Sequence, residues 1–141
     1  MAAPLREPTF LILTALARAP MHGYGLITEV AELSGGRLEL RPGTLYGALD
    51  RLSDDGLVAV DREEIVDGRA RKYYRLTEQG DTTLRAETER LRRNVEAATR
   101  RLDERAALRP AGGMARTDAG SVQSRRRRPA QPMIEFAGGV A

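Results

Sequence analysis

The chain has 141 residues, enough for one domain of ordinary size, with no cysteine and a single histidine. The lack of cysteine excludes disulfides and thiolate-bound metal, and there is no run of 18 apolar residues for a membrane span. The start of the sequence lacks a basic region followed by an apolar run, so we expect no signal peptide. We therefore expect a cytoplasmic protein that needs no cofactor.

The net charge of +3 is unevenly distributed. Residues 1–109 carry 18 basic and 18 acidic side chains, whereas residues 110–141 carry five arginines against two acids. The excess positive charge therefore belongs to the tail, and nucleic-acid binding by the rest of the chain has to be argued from local clusters. Residues 109–141 are low in apolar content and are predicted to be disordered. Their run Arg125–Arg128 offers general attraction to phosphate, although an idle chain end explains it more simply.

Two helices are predicted at the start of the chain. Residues 5–19 carry apolar side chains on more than one side, which is typical of a helix buried on both sides or shared with another chain. The pair Ala19-Pro20 ends this helix. A second helix is predicted from His22 to Ser34, and two glycines terminate it.

A third, short helix is marked at both ends. Its apolar side chains recur at the spacing of one helix face: Leu45, Ala48, Leu49 and Leu52. Pro42 suits the first turn, and Gly56 suits a left-handed end. The start combines Arg41, Gly43 and Thr44 with free backbone N–H groups, which suits a phosphate backbone or a groove edge. An ordinary core helix preceded by a basic residue would show the same pattern.

A β-hairpin is predicted next. Residues 57–66 and 69–76 read as two strands, and Asp67-Gly68 between them is a strong signal for a tight turn. Basic side chains crowd this hairpin: Arg62, Arg69, Arg71, Lys72 and Arg75. This cluster is the local evidence for nucleic-acid binding outside the tail.

A long last helix is predicted over residues 78–108, with Thr77 as its N-cap. Its seam has a heptad-like spacing: Leu84, Leu91, Val95, Ala98 and Leu102. Such a narrow seam is typical of helix association. We expect the first helix, with Phe10 and Leu13, to cover part of it and a second copy of the chain to cover the rest. The alternative is a helix that folds back on its own domain.

Catalysis is not favoured by the residues present. A metal site or a nucleophile–histidine pair would have to use His22, and neither the spacing nor a Gly-rich phosphate loop supports one. Three helices, a basic hairpin and a long helix predict instead a mostly α protein with a small β-hairpin. This is a winged helix-turn-helix over residues 5–77, followed by a dimerisation helix over residues 78–108.

Three blocks carry a family resemblance: PMHGYGLITEV, RPGTLYGALDRLSDDGLV and DGRARKYYRLTEQG. Together, over about residues 8–105, they resemble the PadR family of bacterial transcriptional regulators, in its short subgroup with one C-terminal helix. The resemblance implies a homodimeric repressor of a pseudo-palindromic double-stranded DNA operator. It gives His22 a structural role at the start of the second helix. Its matching DNA-binding positions are Gly43, Thr44, Tyr46, Arg69, Arg71, Lys72 and Tyr73, and Arg41, which does not match, adds a charge on the expected DNA side.

The sequence departs from the family pattern at two positions, because Arg41 and Gly47 stand where the family often has Ser and Pro. Many members are released by a small ligand, so the resemblance also implies an effector site where the first and last helices meet. The candidates are Thr14, Leu91, Asn94 and Val95. Packing of the dimer is the simpler explanation of these residues. A protein-interaction adaptor without specific DNA binding is the alternative function, and the basic hairpin argues against it.

Overall fold

The computed structural model describes residues 3–110, which form four helices and a three-stranded antiparallel sheet. The elements in chain order are α1 (Glu7–Arg18), β1 (Met21–His22), α2 (Gly23–Leu33), α3 (Pro42–Asp54), β2 (Val58–Val66), β3 (Arg69–Leu76) and α4 (Glu78–Ala107). The predicted mostly α fold with a hairpin is confirmed. The arginine run of the tail lies outside the described residues.

The core lies between the first three helices and the base of the hairpin. The predicted stripe of α3 is confirmed, because all four of its apolar side chains are buried. Leu57, Val58 and Tyr74 close the core from the hairpin side. The largest fully buried side chains come from the helices: Ile12, Leu13, Leu26, Val30, Leu45 and Leu49.

Leu13 corrects one prediction from the sequence. It was expected at a dimer interface, but its exposed fraction is 0%, and α1 packs against α2 and β3 around it. A side chain enclosed by its own domain cannot contact a second copy, so Leu13 belongs to the core. Leu84 is half-buried and also packs on this core, while Phe10 is half-buried.

The sequence pattern missed strand β1. Met21 and His22 pair antiparallel with Tyr74 and Tyr73 of β3, so the sheet order is β1-β3-β2. Two residues are too few to show the alternation that identifies a strand. His22 is also the N-cap of α2, because its Nδ1 accepts a hydrogen bond from the Gly25 N–H at 3.2 Å. Its predicted structural role is confirmed.

The hairpin turn follows the sequence signal. Asp67 and Gly68 both have positive φ, at 53° and 75°, as a two-residue type I′ turn requires. Nearer the base, the strand register shifts between Val60 and Arg62, which leaves Asp61 in a bulge. This hairpin of β2 and β3, residues 58–76, is called the wing below, and the turn and the register together place the basic side chains of β3 along it.

Thr77 joins the start of α4 to the end of α3. Its Oγ1 accepts from the Gly80 N–H at 3.0 Å, which confirms the predicted N-cap, and donates to the Gly56 carbonyl at 2.6 Å. We expect Thr77→Ala to lower the free energy of unfolding by about 1–2 kcal/mol, and Thr77→Ser to retain most of it. Urea denaturation measures this, with the exposed Thr82→Ala as the matched control. An equal loss in both alanine variants would contradict the assignment.

Two units divide the chain, and their boundary lies within α4 between Arg100 and Arg101. Leu91 and Val95 of the first unit are 36% and 65% exposed, and Leu102 of the second is 63% exposed.

In the first third of α4 the buried Glu87 is paired with Arg90 and accepts a hydrogen bond from the Leu5 N–H at 3.5 Å. Over residues 3–110, none of the helices combines the length and apolarity needed to cross a bilayer.

Candidate nucleic-acid interface

The start of α3 presents backbone donors to solvent. The helix ladder begins with the Leu45 N–H, which donates to the Arg41 carbonyl at 2.9 Å. The N–H groups of Gly43 and Thr44 precede this bond and have no place in the ladder, and both residues are exposed. Arg41 is the N-cap residue and gives no side-chain cap. Its charge and two backbone donors therefore face outward at one helix end.

Tyr46 stands on the exposed side of α3 and rests against α2. Tyr46 is 45% exposed, and a β-carbon placed on Gly23 would lie only 2.4 Å from its hydroxyl oxygen. Gly23 is the first residue of α2, and its missing side chain lets Tyr46 approach the start of that helix. The position of Tyr46 is thus fixed by packing.

Ion pairs divide the cations of the described residues into two groups. On α4, four of the seven arginines have a carboxylate within 4.0 Å: Arg85, Arg90, Arg92 and Arg101. The other three, Arg93, Arg100 and Arg105, have none among residues 3–110. Within residues 3–110, no such pair involves the cations of α3 and β3 or the one that precedes α3: Arg41, Arg51, Arg69, Arg71, Lys72 and Arg75. The helix start and the wing therefore keep positive charge available for an outside anion.

Arg62 and Tyr73 behave differently from the other predicted wing residues. Arg62 pairs with Glu64 at 2.9 Å and with Asp61 at 3.1 Å, and its guanidinium lies 4.0 Å from the centre of the Tyr73 ring. Tyr73 is half-buried and meets His22 edge-on. Both side chains are engaged within the protein, whereas Arg69 and Lys72 are exposed.

A cleft of about 620 Å³ separates the wing from α2 and α3. Strand β1 contributes His22 to its wall, the helices contribute Gly23, Tyr24 and Tyr46, and the wing contributes Arg69, Arg71 and Lys72 among others. Burial raises the pKa of Tyr74, which lines the floor, above its usual range. Of the residues predicted at α3, the cleft joins only Tyr46 to Arg69, Arg71 and Lys72 of the wing, because Arg41, Gly43 and Thr44 are not part of its wall.

Tyr24 was not selected from the sequence as a site residue. It is nevertheless 69% exposed and lines the cleft. The available signal was its position directly after the helix start, where one face of the first turn remains uncovered.

The residues predicted for an effector site lie elsewhere. Thr14 is half-buried and its hydroxyl donates to the Phe10 carbonyl at 2.7 Å, while Asn94 and Val95 are exposed on α4. Thr14, Leu91, Asn94 and Val95 line neither the cleft beside the wing nor a second cleft between the end of α1 and the start of α4.

The sequence matches a known family. The model of the transcriptional regulator PadR-like family matches residues 12–86, more than half of the chain. The chain belongs to the PadR-like family of transcriptional regulators. Its matched region contains α2, α3, the whole wing and the start of α4, so the family pattern covers every element of the candidate interface.

Relatives and solved structures agree with the PadR-like assignment. Transcriptional regulator Rv3488 of Mycobacterium tuberculosis is 44% identical over 73 residues, 52% of this chain and 64% of that protein, so the match spans less than two thirds of the relative. A PadR family transcription regulator from Clostridium difficile R20291 has a TM-score of 0.55 at 28% identity, covering 69% of this chain and 99% of that one. Bacillus subtilis PadR, solved in complex with operator DNA, has a TM-score of 0.52 at 26% identity. The match covers 57% of this chain and 47% of that one.

Proposed function

We propose that this chain is a sequence-specific DNA-binding transcriptional regulator, acting in the cytoplasm as a repressor. The observation that carries the proposal is the set of cations on α3 and the wing that have no ion pair among residues 3–110, beside free N–H groups at the start of α3. Unpaired cations and backbone donors are the groups that bind DNA phosphates. The operator complex of Bacillus subtilis PadR supports the same partner class.

In the proposed complex the start of α3 enters the major groove. Thr44 and Tyr46 then reach base edges or phosphates, and the Gly43 and Thr44 N–H groups bind a phosphate at the positive end of the helix dipole. Arg69, Arg71 and Lys72 bind the backbone beside it, or reach into the minor groove. Each charge-to-phosphate contact makes the affinity depend on salt.

The proposed assembly is a homodimer built on α4. Leu91 and Val95 are exposed apolar residues of its first unit, and Arg92 forms ion pairs with Glu89 and Glu96 beside them. A polar helix with an apolar stripe is typical of a helix that pairs with another. Two recognition helices would then lie in successive major grooves, about 34 Å apart, so the operator should be a pseudo-palindrome.

A double substitution in α4 tests this assembly. We expect Leu91→Glu with Val95→Glu to convert the dimer to a monomer, because four like charges would face one another across the seam. Sedimentation equilibrium gives the mass. The control is Arg93→Glu with Arg100→Glu, which lies away from the seam on the same helix. Dimers in both variants would exclude this helix face as the interface.

Release by a small-molecule effector completes the proposal. Its candidate residues remain Thr14, Leu91, Asn94 and Val95, and family membership is their only support. The measurement is loss of the DNA complex on addition of a compound, compared between the natural chain and Asn94→Ala. An effector that acts equally on both would remove Asn94 from the set.

The function is tested by an electrophoretic shift on the DNA upstream of the chain's own gene, with a salt series. We expect a discrete complex that outcompetes random DNA and weakens with salt. Thr44→Val removes one exposed hydroxyl and should weaken the complex, whereas Thr82→Val on α4 makes the same change away from the interface. In a reporter strain, deleting the gene should raise expression from the bound promoter.

Two results would contradict the proposal. If operator and random DNA compete equally, there is no sequence-specific binding at this site, and the adaptor function becomes the better account. If a diffuse complex vanishes when residues 111–141 are removed, the tail binds charge without specificity. Lower expression after gene deletion would establish activation in place of repression.

A further inference from the structure

A cluster of side chains ties the wing to the start of α2. His22 pairs with Tyr73 across β1 and β3, and the two rings meet edge-on with centres 5.4 Å apart and planes at 84°. The Arg62 guanidinium lies 4.0 Å from the centre of the same Tyr73 ring, and Arg62 is held by Asp61 and Glu64 of its own strand. Tyr73 is thus the residue on which all three strands converge.

His22 carries this contact into the helix-turn-helix. Its Nδ1 accepts the Gly25 N–H at 3.2 Å and so caps α2. The first turn of α2 also contains Gly23, on which the Tyr46 ring rests. A continuous chain of contacts therefore leads from the wing through Tyr73 and His22 to the recognition tyrosine of α3.

We infer that Tyr73 is a positioning residue that fixes the wing against the start of α2, and that His22 makes this joint sensitive to pH. The consequence for operator binding rests on the proposed function, because only a wing held at one angle can bring Arg69 and Lys72 to phosphates while α3 lies in the groove. The joint itself is a property of the free protein.

The pH sensitivity follows from the hydrogen bond at Nδ1. A neutral imidazole can accept there, whereas a protonated one carries a donor on both nitrogens and cannot. Burial lowers the pKa of His22 below its usual 6.5, Arg71 of β3 lowers it further, and Glu64 of β2 opposes them. On the α2 side no acidic residue lies in the first turn.

The sign of the effect is set by this lowered pKa. The folded chain binds the His22 proton more weakly than the unfolded chain, so stability falls as the pH drops below the ordinary value of 6.5. Protonation removes the cap and places a cation near Arg71. Because His22 is the only histidine of the chain, no other imidazole contributes to this transition.

Because the chain has no cysteine, the joint can be measured with spin labels on two introduced cysteines. Ser53→Cys at the end of α3 and Ala70→Cys beside the wing turn are both exposed sites. Double electron–electron resonance gives the distance between the two labels, and so between the wing and α3. The sample is the full chain without DNA, diluted with unlabelled chain. Each sample is measured near pH 7.5 and near pH 5, and circular dichroism verifies that it is folded.

In the natural chain we expect a single narrow distribution of distances near pH 7.5 and a broad distribution near pH 5. Tyr73→Leu and the milder, surface-exposed Arg62→Gln should give a broad distribution at both pH values. Arg92→Gln, which removes a paired arginine from α4, should remain narrow near pH 7.5. His22→Asn keeps a capping oxygen but does not titrate, so its distribution should not change with pH.

DNA binding by the same variants gives a further measurement, the dependence of affinity on salt, which loss of stability alone would not change. Tyr73→Leu removes no charge, yet it should reduce the slope of log affinity against log salt, because misplaced cations no longer reach phosphates. An unfolded fraction would lower the amount of complex without altering that slope.

Two results would overturn the inference. One is a narrow distance in folded Tyr73→Leu and Arg62→Gln, and the other is a pH response in His22→Asn equal to that of the natural chain. If the distances respond as expected but no operator is bound, the joint stands and the proposed function fails. The two hypotheses are therefore separable in one set of samples.

Discussion

Replacing Gly80 with alanine is expected to destabilise the protein by about 1–3 kcal/mol. A β-carbon at this position would lie 2.1 Å from the carbonyl oxygen of Leu57 and 2.7 Å from a Leu76 methyl group. The Leu57 carbonyl accepts the Thr77 N–H at 3.1 Å, so this oxygen is held by backbone and cannot rotate away. Either α4 or the base of the wing has to shift.

Gly47→Ala is the matched control for this prediction. Gly47 is also helical, but a β-carbon there would meet only the flexible end of Arg51, at 3.8 Å. Alanine is the better helix former by about 1 kcal/mol, so we expect this variant to gain stability. Urea denaturation of both variants at equal protein concentration gives the sign of the change in the free energy of unfolding for each. A Gly80→Ala chain as stable as Gly47→Ala would show that α4 does not need its close approach to Leu57.

The sequence was sufficient for the fold because the local signals agree with one another. Residues close together in the sequence specify three of these features: the apolar stripe of α3, the positive-φ pair Asp67-Gly68 and the Thr77 cap. Each is found in the structure. Periodicity and capping act over a few residues, so they can be read without knowing the partner of any element. The bounds of the helices consequently differ from the prediction by only a few residues.

What could not be predicted depends on contacts between distant residues. Strand β1 exists because β3, some fifty residues later, offers it an edge. Leu13 and Phe10 both lie on an apolar helix, and only the packing of α1 shows that Leu13 faces the core. A helix that is apolar on several sides does not reveal which side meets its own domain.

The candidate interface shows the same division. The basic residues of the wing are visible in the sequence, but their availability is not. Arg62 is engaged by Asp61, Glu64 and Tyr73, while Lys72 has no ion pair among residues 3–110 even though Glu63 is its partner in the strand register. Pairing depends on side-chain direction and on the bulge at Asp61, which composition alone does not specify.

Removing two wing cations should change how DNA affinity responds to salt. Arg69 and Lys72 are exposed on β3, and neither has a carboxylate within 4.0 Å among residues 3–110. If each binds one phosphate, Arg69→Gln with Lys72→Gln should lower the slope of log affinity against log salt by about 1.8. Over a fourfold rise in salt, the natural chain should then lose about 12-fold more affinity than the variant.

The control has to remove the same charge without touching the wing. Arg93→Gln with Arg100→Gln does so on α4, where both residues are exposed and have no ion pair within residues 3–110. A long-range effect of net charge would change both double variants alike, because each loses two positive charges. A contact at the wing changes only the first. Equal slopes in the two variants would mean that the wing cations do not reach the DNA, and that the affinity comes from α3 or from the tail.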